Sequence, residues 1–386
     1  MKYQSSLTTT LAIAFTFGFT LPSQAEVTFD QAGKISVYGD ARFRLEADWD
    51  SRNSSGGQRA DRNRLRTRLR LGLDIKPSDR IRLGFRLRSG SDLSQQSPHI
   101  TLVDFDNNDT GDADFNLDKW YASFSDGNAT IWAGRNGLPF WKQNELFWDD
   151  DVTPAGVGLT WKLDNLAINA GYFSLPAGMQ AFSGNLAVGQ AVYGTKVGDE
   201  KNDLTIAGGF LGIDGNPTDS DASLLLDNNG SRDYRTWVVS AQYGTTARER
   251  SLKFGFDYIY NSRSYSPADP DPFTAINADE TGGIVASISY GSASPGDWLA
   301  AYYYADVETF AFSSSYAQDD WMRWGSANET RSTNFSGHEF RLAYGLKDDM
   351  NLVARLYVVE ANVLRSASAT AKEDGNRFRI DLNYKF

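Results

Sequence analysis

Between Arg64 and Arg70 the chain places an arginine at every second residue, with Leu65, Thr67 and Leu69 between them. Successive side chains point to opposite faces of a β-strand, so this run is a strand with one guanidinium face and one mostly aliphatic face. An arginine held against lipid at the bilayer midplane costs roughly 2–4 kcal/mol. Four of them would cost on the order of 10 kcal/mol, comparable to the stability of a whole domain. The aliphatic face is therefore expected to meet hydrocarbon and the arginine face water. A sheet divided in that way has to close on itself, because an open edge would leave backbone groups unpaired in lipid.

Period-two alternation recurs along the chain. Ile35, Val37, Ala41, Phe43 and Leu45 alternate with Lys34, Ser36, Asp40, Arg42, Arg44 and Glu46. Ile81, Leu83, Phe85 and Leu87 alternate with Arg80, Arg82, Arg86 and Arg88, and the chain ends on Phe378, Ile380, Leu382, Tyr384 and Phe386 in the same rhythm. The connections alternate in length. Short turns are expected near 76–79, 125–128, 164–165, 199–202, 245–250, 292–297 and 345–350, several with hairpin chemistry such as Asp126-Gly127-Asn128. Long connections are expected near 49–61, 89–114, 136–155, 174–187, 214–233, 261–280, 309–334 and 361–375. Seven short and eight long connections join about 16 strands. The fold class is thus all-β, a transmembrane antiparallel β-barrel with short periplasmic turns and long external loops. A soluble β-sandwich would share the alternation, but not the terminal aromatic Phe386 inside an alternating strand.

Residues 1–25 read as a secretory signal: Lys2, the short apolar run Leu11 to Leu21, and the small-x-small site Ser23-Gln24-Ala25. The barrel domain is then 26–386. Past residue 25 no stretch of 18 or more apolar residues occurs, so closed strands are the remaining route through a membrane. The chain has no cysteine, so no disulfide framework is expected.

Charge is segregated. Residues 40–90 hold 14 Lys/Arg against 7 Asp/Glu, a net of +7, while the chain as a whole carries -11. Arg42, Arg44, Arg64, Arg66, Arg68, Arg70, Arg82, Arg86 and Arg88 are expected to line the lumen, with Asp40, Glu46, Asp74 and Asp118 as nearby acidic partners. The connection 136–155 contains Leu138-Pro139-Phe140-Trp141 and Glu145-Leu146-Phe147-Trp148-Asp149-Asp150-Asp151. Four large aromatics in an external loop need a partly dry place to sit. Folding inward supplies it, and makes this loop the constriction, with Glu145, Asp149, Asp150 and Asp151 facing the arginines across a narrow gap.

Several stretches resemble the putative porin family of Gram-negative bacteria. They are Tyr38-Gly39-Asp40-Ala41-Arg42-Phe43-Arg44-Leu45-Glu46, the run Arg64 to Leu73, and Gly84-Phe85-Arg86-Leu87-Arg88-Ser89-Gly90. The most specific is Gly134-Arg135-Asn136-Gly137-Leu138-Pro139-Phe140, followed by Phe147-Trp148-Asp149-Asp150-Asp151-Val152-Thr153-Pro154-Ala155-Gly156. They cover about the first third of the chain after its signal. The resemblance implies a barrel of 16 or slightly more strands, homotrimeric, with passive channel activity in the outer membrane. The ending Tyr384 to Phe386 resembles the C-terminal signal read by the barrel assembly machinery.

The expected activity is therefore passive diffusion of small polar solutes, with a mild anion preference from the +7 segment. A channel specific for phosphate or acidic saccharides and a plugged structural or adhesion barrel are the alternatives. Lipid and lipopolysaccharide are the expected surroundings. No cofactor, metal or nucleic-acid partner is expected, nor enzymatic activity: of the two histidines, His99 and His338, the second precedes Glu339 near the start of a strand, and nothing marks a partner serine. The stretch 104–112 faintly resembles a calcium loop, but starting at Asp106 the twelfth position is Leu117 where such a loop needs a bidentate Glu.

Overall fold

The alternation becomes a closed antiparallel barrel in the computed structural model, which describes residues 27–28, 34–91, 95–106, 114–177, 182–198, 201–215, 232–323, 332–366 and 368–386. Residues 1–25, expected to be a signal, and most of the stretch 104–112 lie outside the described residues. In chain order the strands are β1 (Val27–Thr28), β2 (Ile35–Arg52), β3 (Arg62–Ser78), β4 (Ile81–Ser89), β5 (Ile100–Asp104) and β6 (Phe115–Asp126). They continue with β7 (Ala129–Arg135), β8 (Ala155–Leu163), β9 (Leu166–Pro176), β10 (Phe182–Val197), β11 (Asn202–Asp214) and β12 (Tyr234–Ala247). The last six are β13 (Arg250–Asn261), β14 (Gly282–Gly291), β15 (Trp298–Val307), β16 (Phe335–Lys347), β17 (Met350–Glu360) and β18 (Asp374–Lys385). A one-turn helix, α1 (Pro272–Ile276), sits in the connection between β13 and β14.

Eighteen strand segments make a wall of 16 positions. β4 and β5 share one position: Arg70 pairs with Arg88 of β4, and three residues on, Thr67 pairs with Ile100 of β5. The chain leaves the wall at Ser89 and rejoins it at Ile100. β1 adds only two pairs to the edge of β2, beyond the point where β18 ends. The barrel closes where β18 pairs with β2, from Lys385 opposite Asp40 to Asp374 opposite Arg52. The described short turns lie near the expected places, the first shifted to 79–80 because β3 runs on through Lys76-Pro77-Ser78; Arg248 and Glu249 both take positive φ (48° and 65°), the geometry of a type I′ hairpin turn. The expected long connection at 174–187 is shorter than the sequence pattern suggests, because β9 and β10 keep pairing up to Pro176 and Phe182.

The wall has the expected sidedness. On β2, Phe43 and Leu45 are 49% and 51% exposed on the outer surface, while Arg44 between them is 1% exposed. Exposed aromatics Trp161, Tyr193, Tyr290, Trp298 and Tyr384 lie on the outer surface toward the short-turn end, as an interfacial girdle requires. The departure is inside. From β10 to β14 the inner face carries Leu186, Val188, Val192, Leu211, Ile213, Val238, Ile259 and Val285, all buried. An apolar inner face cannot be left to water without cost, and chain segments cover it.

Candidate functional site

Three segments fold into the barrel. The first links β4 to β5. It turns at Gly90 (φ 108°), where a Cβ would come within 2.7 Å of Pro98 Cα, so only glycine fits. Ser89 Oγ donates to the Pro98 carbonyl (2.8 Å), and Gln95 and Gln96 are buried behind it.

The second segment is 136–154. Leu146, Phe147, Trp148 and Val152 are buried in one cluster with Val188, Leu211, Val238 and Ile259 of the apolar wall. Polar contacts fix it laterally. Trp141 N donates to Gln190 Oε1 and Gln190 Nε2 donates back to the Trp141 carbonyl, both at 2.7 Å. Gln143 Nε2 donates to Asp257 (2.7 Å), and Asn144 donates to the same carboxylate. Thr153 Oγ1 donates to the Asp118 carbonyl at 2.7 Å.

The third segment follows β15. Phe310, Phe312, Tyr316, Trp321 and Met322 are buried. Tyr316 stacks on Trp148 with ring centroids 5.2 Å apart. Asp149 N donates to the Tyr316 carbonyl (2.8 Å), and Gln96 Nε2 donates to the Ser314 carbonyl (2.8 Å). The three segments thus brace one another across the interior.

The arginine face is densely paired. Arg64, Arg66 (3.6 Å) and Arg379 (2.7 Å) all reach Glu46. Arg44 reaches Asp381 at 2.7 Å, Arg68 and Arg70 share Asp40 at 2.7 and 2.6 Å, and Arg86 Nε donates to Asp118 at 3.0 Å. Arg82 Nε donates to Asp74 (2.9 Å), and Arg88 donates to the Gln95 carbonyl. The inward segments add acids of their own. Asp151 meets Arg70 at 2.8 Å and Arg68 at 3.7 Å. Asp320 meets Arg44 at 3.5 Å, Arg355 at 3.8 Å, and Arg379.

Between the wall and these segments lies a cavity of about 290 Å³. Its basic side is Arg42, Arg68, Arg70, Arg355 and Lys385; its acidic side is Glu145, Asp149, Asp150, Asp151, Asp319 and Asp320. Of the nine arginines picked out by alternation, Arg42, Arg68 and Arg70 line this cavity. Arg44 and Arg88 are 1% and 0% exposed, so the inward segments cover them. Arg64 and Arg66 lie beside Glu46, and Arg82 and Arg86 sit nearer the turns. All four picked acids, Glu145, Asp149, Asp150 and Asp151, line the cavity.

Residues 51–258, a little over half of the chain, match the model of a family described as putative porin. This chain belongs to that family. Two solved structures share the porin's fold. OprB of Pseudomonas putida, solved at high pH, aligns with a TM-score of 0.55 at 12% identity, over 92% of this chain and 94% of the other. A loop-deletion mutant of OmpT, an outer membrane protein of Vibrio cholerae, aligns with a TM-score of 0.50 at 11% identity, over 91% and 99% of the two chains. A search of curated proteins finds no match. Family and fold point to a channel rather than an enzyme and support an outer-membrane location.

The porin's loop acids divide in two. Burial acts against ionisation of Asp151, but Arg70 and Arg68 outweigh it and hold its carboxyl at about 2. Asp320 is likewise held well below the usual range by Arg379, Arg44 and Arg355 against the cost of burial. Glu145 has no such partner: burial, then the neighbouring Asp150 carboxylate, push it up to about 7. Asp149 is raised by burial and by Glu145 and Asp151.

Sequence reasoning missed the third segment with Asp319 and Asp320, the excursion at 95–99, and the cavity residues Arg355 and Lys385. The third segment carried a readable signal, since Phe310, Phe312, Tyr316 and Trp321 are as anomalous in an external loop as the aromatics of 136–155. Of the two histidines, His99 lines the cavity, and His338 accepts or donates at 2.9 Å to the Tyr302 hydroxyl on the outer face. Among the described residues no group of three or more His, Cys, Asp or Glu could hold a metal ion. Tyr384 and Phe386 stack on the outer face (6.1 Å), with Phe386 lying over Gly39, where a Cβ would come within 2.5 Å of its ring.

Proposed function

We propose that this porin is a passive diffusion channel for small hydrophilic solutes, with 136–155 as its constriction loop and a mild preference for anions. The observation that carries the reading is the cavity with guanidinium groups on one side and carboxylates on the other. Solutes crossing such a gap meet a transverse field in a space with little bulk water to screen it. Arginine keeps its charge at any ordinary pH. Burial raises Glu145 to about 7 and raises Asp149 as well. Five basic side chains, Arg42, Arg68, Arg70, Arg355 and Lys385, line the space that a solute would cross. Among the described residues neither Arg42 nor Lys385 forms an ion pair, so both are available to a solute anion.

The dense pairing favours passive diffusion over a channel dedicated to anions. A relay of arginines needs guanidinium groups free to pass a ligand along, and here Arg64, Arg66, Arg68, Arg70, Arg82 and Arg86 each hold a carboxylate. The rest of the reading follows the family. Residues 1–25 direct export, Tyr384 and Phe386 form the assembly signal, the protein is a homotrimer, and its outer surface meets lipid and lipopolysaccharide. Purified protein in planar bilayers under a KCl gradient tests the proposal. Stable conductance steps with a reversal potential on the anion side are expected. Absence of any conductance would favour a plugged structural barrel, and clear cation selectivity would remove the anion preference.

A further inference from the structure

We propose that the cavity recognises small zwitterions, solutes of free amino-acid size carrying one carboxylate and one ammonium group. The inference rests on the channel reading above and names a class of solute for it. Most charge around the cavity is already spent, so the residues that still lack a counter-ion decide what binds. Arg42 stands opposite Arg68 on one neighbouring strand and Asn383 on the other. Its Nε donates to Asn383 Oδ1 (2.6 Å), and Asn383 Nδ2 donates on to Asn351 Oδ1 (2.9 Å). An amide chain orients the guanidinium without neutralising it, and the side chain lines the cavity. Lys385 stands opposite Asp40, but both oxygens of that carboxylate are taken by Arg68 and Arg70.

Across the cavity Glu145 is the mirror case. It lines the same space and, among the described residues, forms no ion pair; its neighbour Asp150 is taken by Lys142. Asp149, also lining, has among the described residues only the Asp151 backbone N–H (2.7 Å) on its carboxylate. A bare anion would satisfy Arg42 and Lys385 but approach Glu145 and Asp149 as a like charge. A bare cation would face the reverse. A zwitterion serves both sides, and a volume of about 290 Å³ lies at the small end of ligand sites, suited to an amino acid rather than a disaccharide.

The test is block of KCl current through the purified porin by L-alanine, compared with N-acetyl-L-alanine, L-alanine methyl ester and glucose. Saturable block by alanine is expected, with half-blocking concentrations at least fivefold higher for the other three. Arg42→Gln and Glu145→Gln should each weaken alanine block at least fivefold, and Arg250→Gln, at an exposed turn, should not. Heat-modifiable gel mobility reports whether each variant is folded, and Lys385→Gln serves if Arg42→Gln is not. Equal block by N-acetylalanine means an anion site, and equal block by the ester a cation site; either overturns the proposal. KCl conductance without block by any solute overturns it while leaving the channel reading intact, whereas no KCl conductance removes both.

Discussion

Two walls of the same barrel treat the lumen in opposite ways. On β2, β3 and β18 the inner face is arginine and acid in alternation, and nearly every guanidinium has a carboxylate within reach. On β10 to β13 the inner face is Leu186, Val188, Leu211, Val238 and Ile259, with Asp257 as its buried carboxylate. The segment 136–154 answers both. Its Leu146, Phe147 and Trp148 bury against the apolar wall, while its Asp151 reaches the arginines. Covering a large apolar side chain contributes about 1.5–3 kcal/mol relative to leaving it in water. A buried ion pair contributes little net energy, because desolvation offsets its attraction. The apolar wall therefore supplies most of the force that draws the segment inward, and the charged wall fixes where it stops.

The largest effect should come from the apolar side. Trp148 is 1% exposed and stacks on Tyr316, so Trp148→Ala should cost about 3–5 kcal/mol of local packing. Single-channel recordings should show larger, noisier conductance steps. Steps of parental size would mean that burial does not hold the segment in place. Next comes Asp320→Asn, which removes the acid shared by Arg44, Arg355 and Arg379. Stranding buried cations costs on the order of 3 kcal/mol. The KCl reversal potential should move firmly toward anions, and no movement would show that solutes do not sense this part of the wall. Asp257→Ala is smaller. It removes the carboxylate that accepts from Asn144 and from Gln143, whose Nε2 keeps the Phe256 carbonyl at 2.9 Å, at about 1–3 kcal/mol for the Asn144 donor. A modest rise in open-channel noise is expected, and a change as large as that of Trp148→Ala would reverse the ranking of the two walls.

The charged wall was legible in the sequence because an arginine at every second residue admits one orientation in a membrane. The side on which Arg42 to Arg88 lie follows from that, while the turns were read from hairpin chemistry and the alternating lengths of the connections. The apolar wall was not legible as a wall. Leu186, Val188 and Val192 alternate with Ala187, Gly189 and Ala191, so both faces read as apolar or small and alternation cannot say which is inside. The aromatics of 136–155, and those of the segment after β15, were its visible traces. Asp320 and Lys385 escaped because their place depends on which segments meet in the lumen, a long-range matter that local pattern does not encode. The excursion between Ser89 and Ile100 was hidden for a related reason: five residues of β5 look like loop until β3 pairs with them.

The finest distinction between the walls is made by a proton. Glu145 lies where the two meet, far enough from the arginines that burial lifts its carboxyl from the usual 4.5 to about 7. Its folded value is raised, so it binds more protons folded than unfolded. Any stabilisation linked to it is fully present below about 4.5 and is lost as pH climbs through about 7. Asp151, held at about 2 by Arg70 and Arg68, stays ionised throughout that window and leaves the contact with the arginine wall unchanged. Between pH 6 and pH 8 Glu145 therefore adds negative charge on the loop side of the cavity. The reversal potential under a KCl gradient should drift by a few millivolts toward cations as pH rises, and Glu145→Gln should flatten the drift while keeping anion preference at its low-pH level. A drift that survives in Glu145→Gln would assign the titration to Asp149, the neighbouring loop acid that burial also raises, and would move the junction of the two walls a turn deeper into the segment.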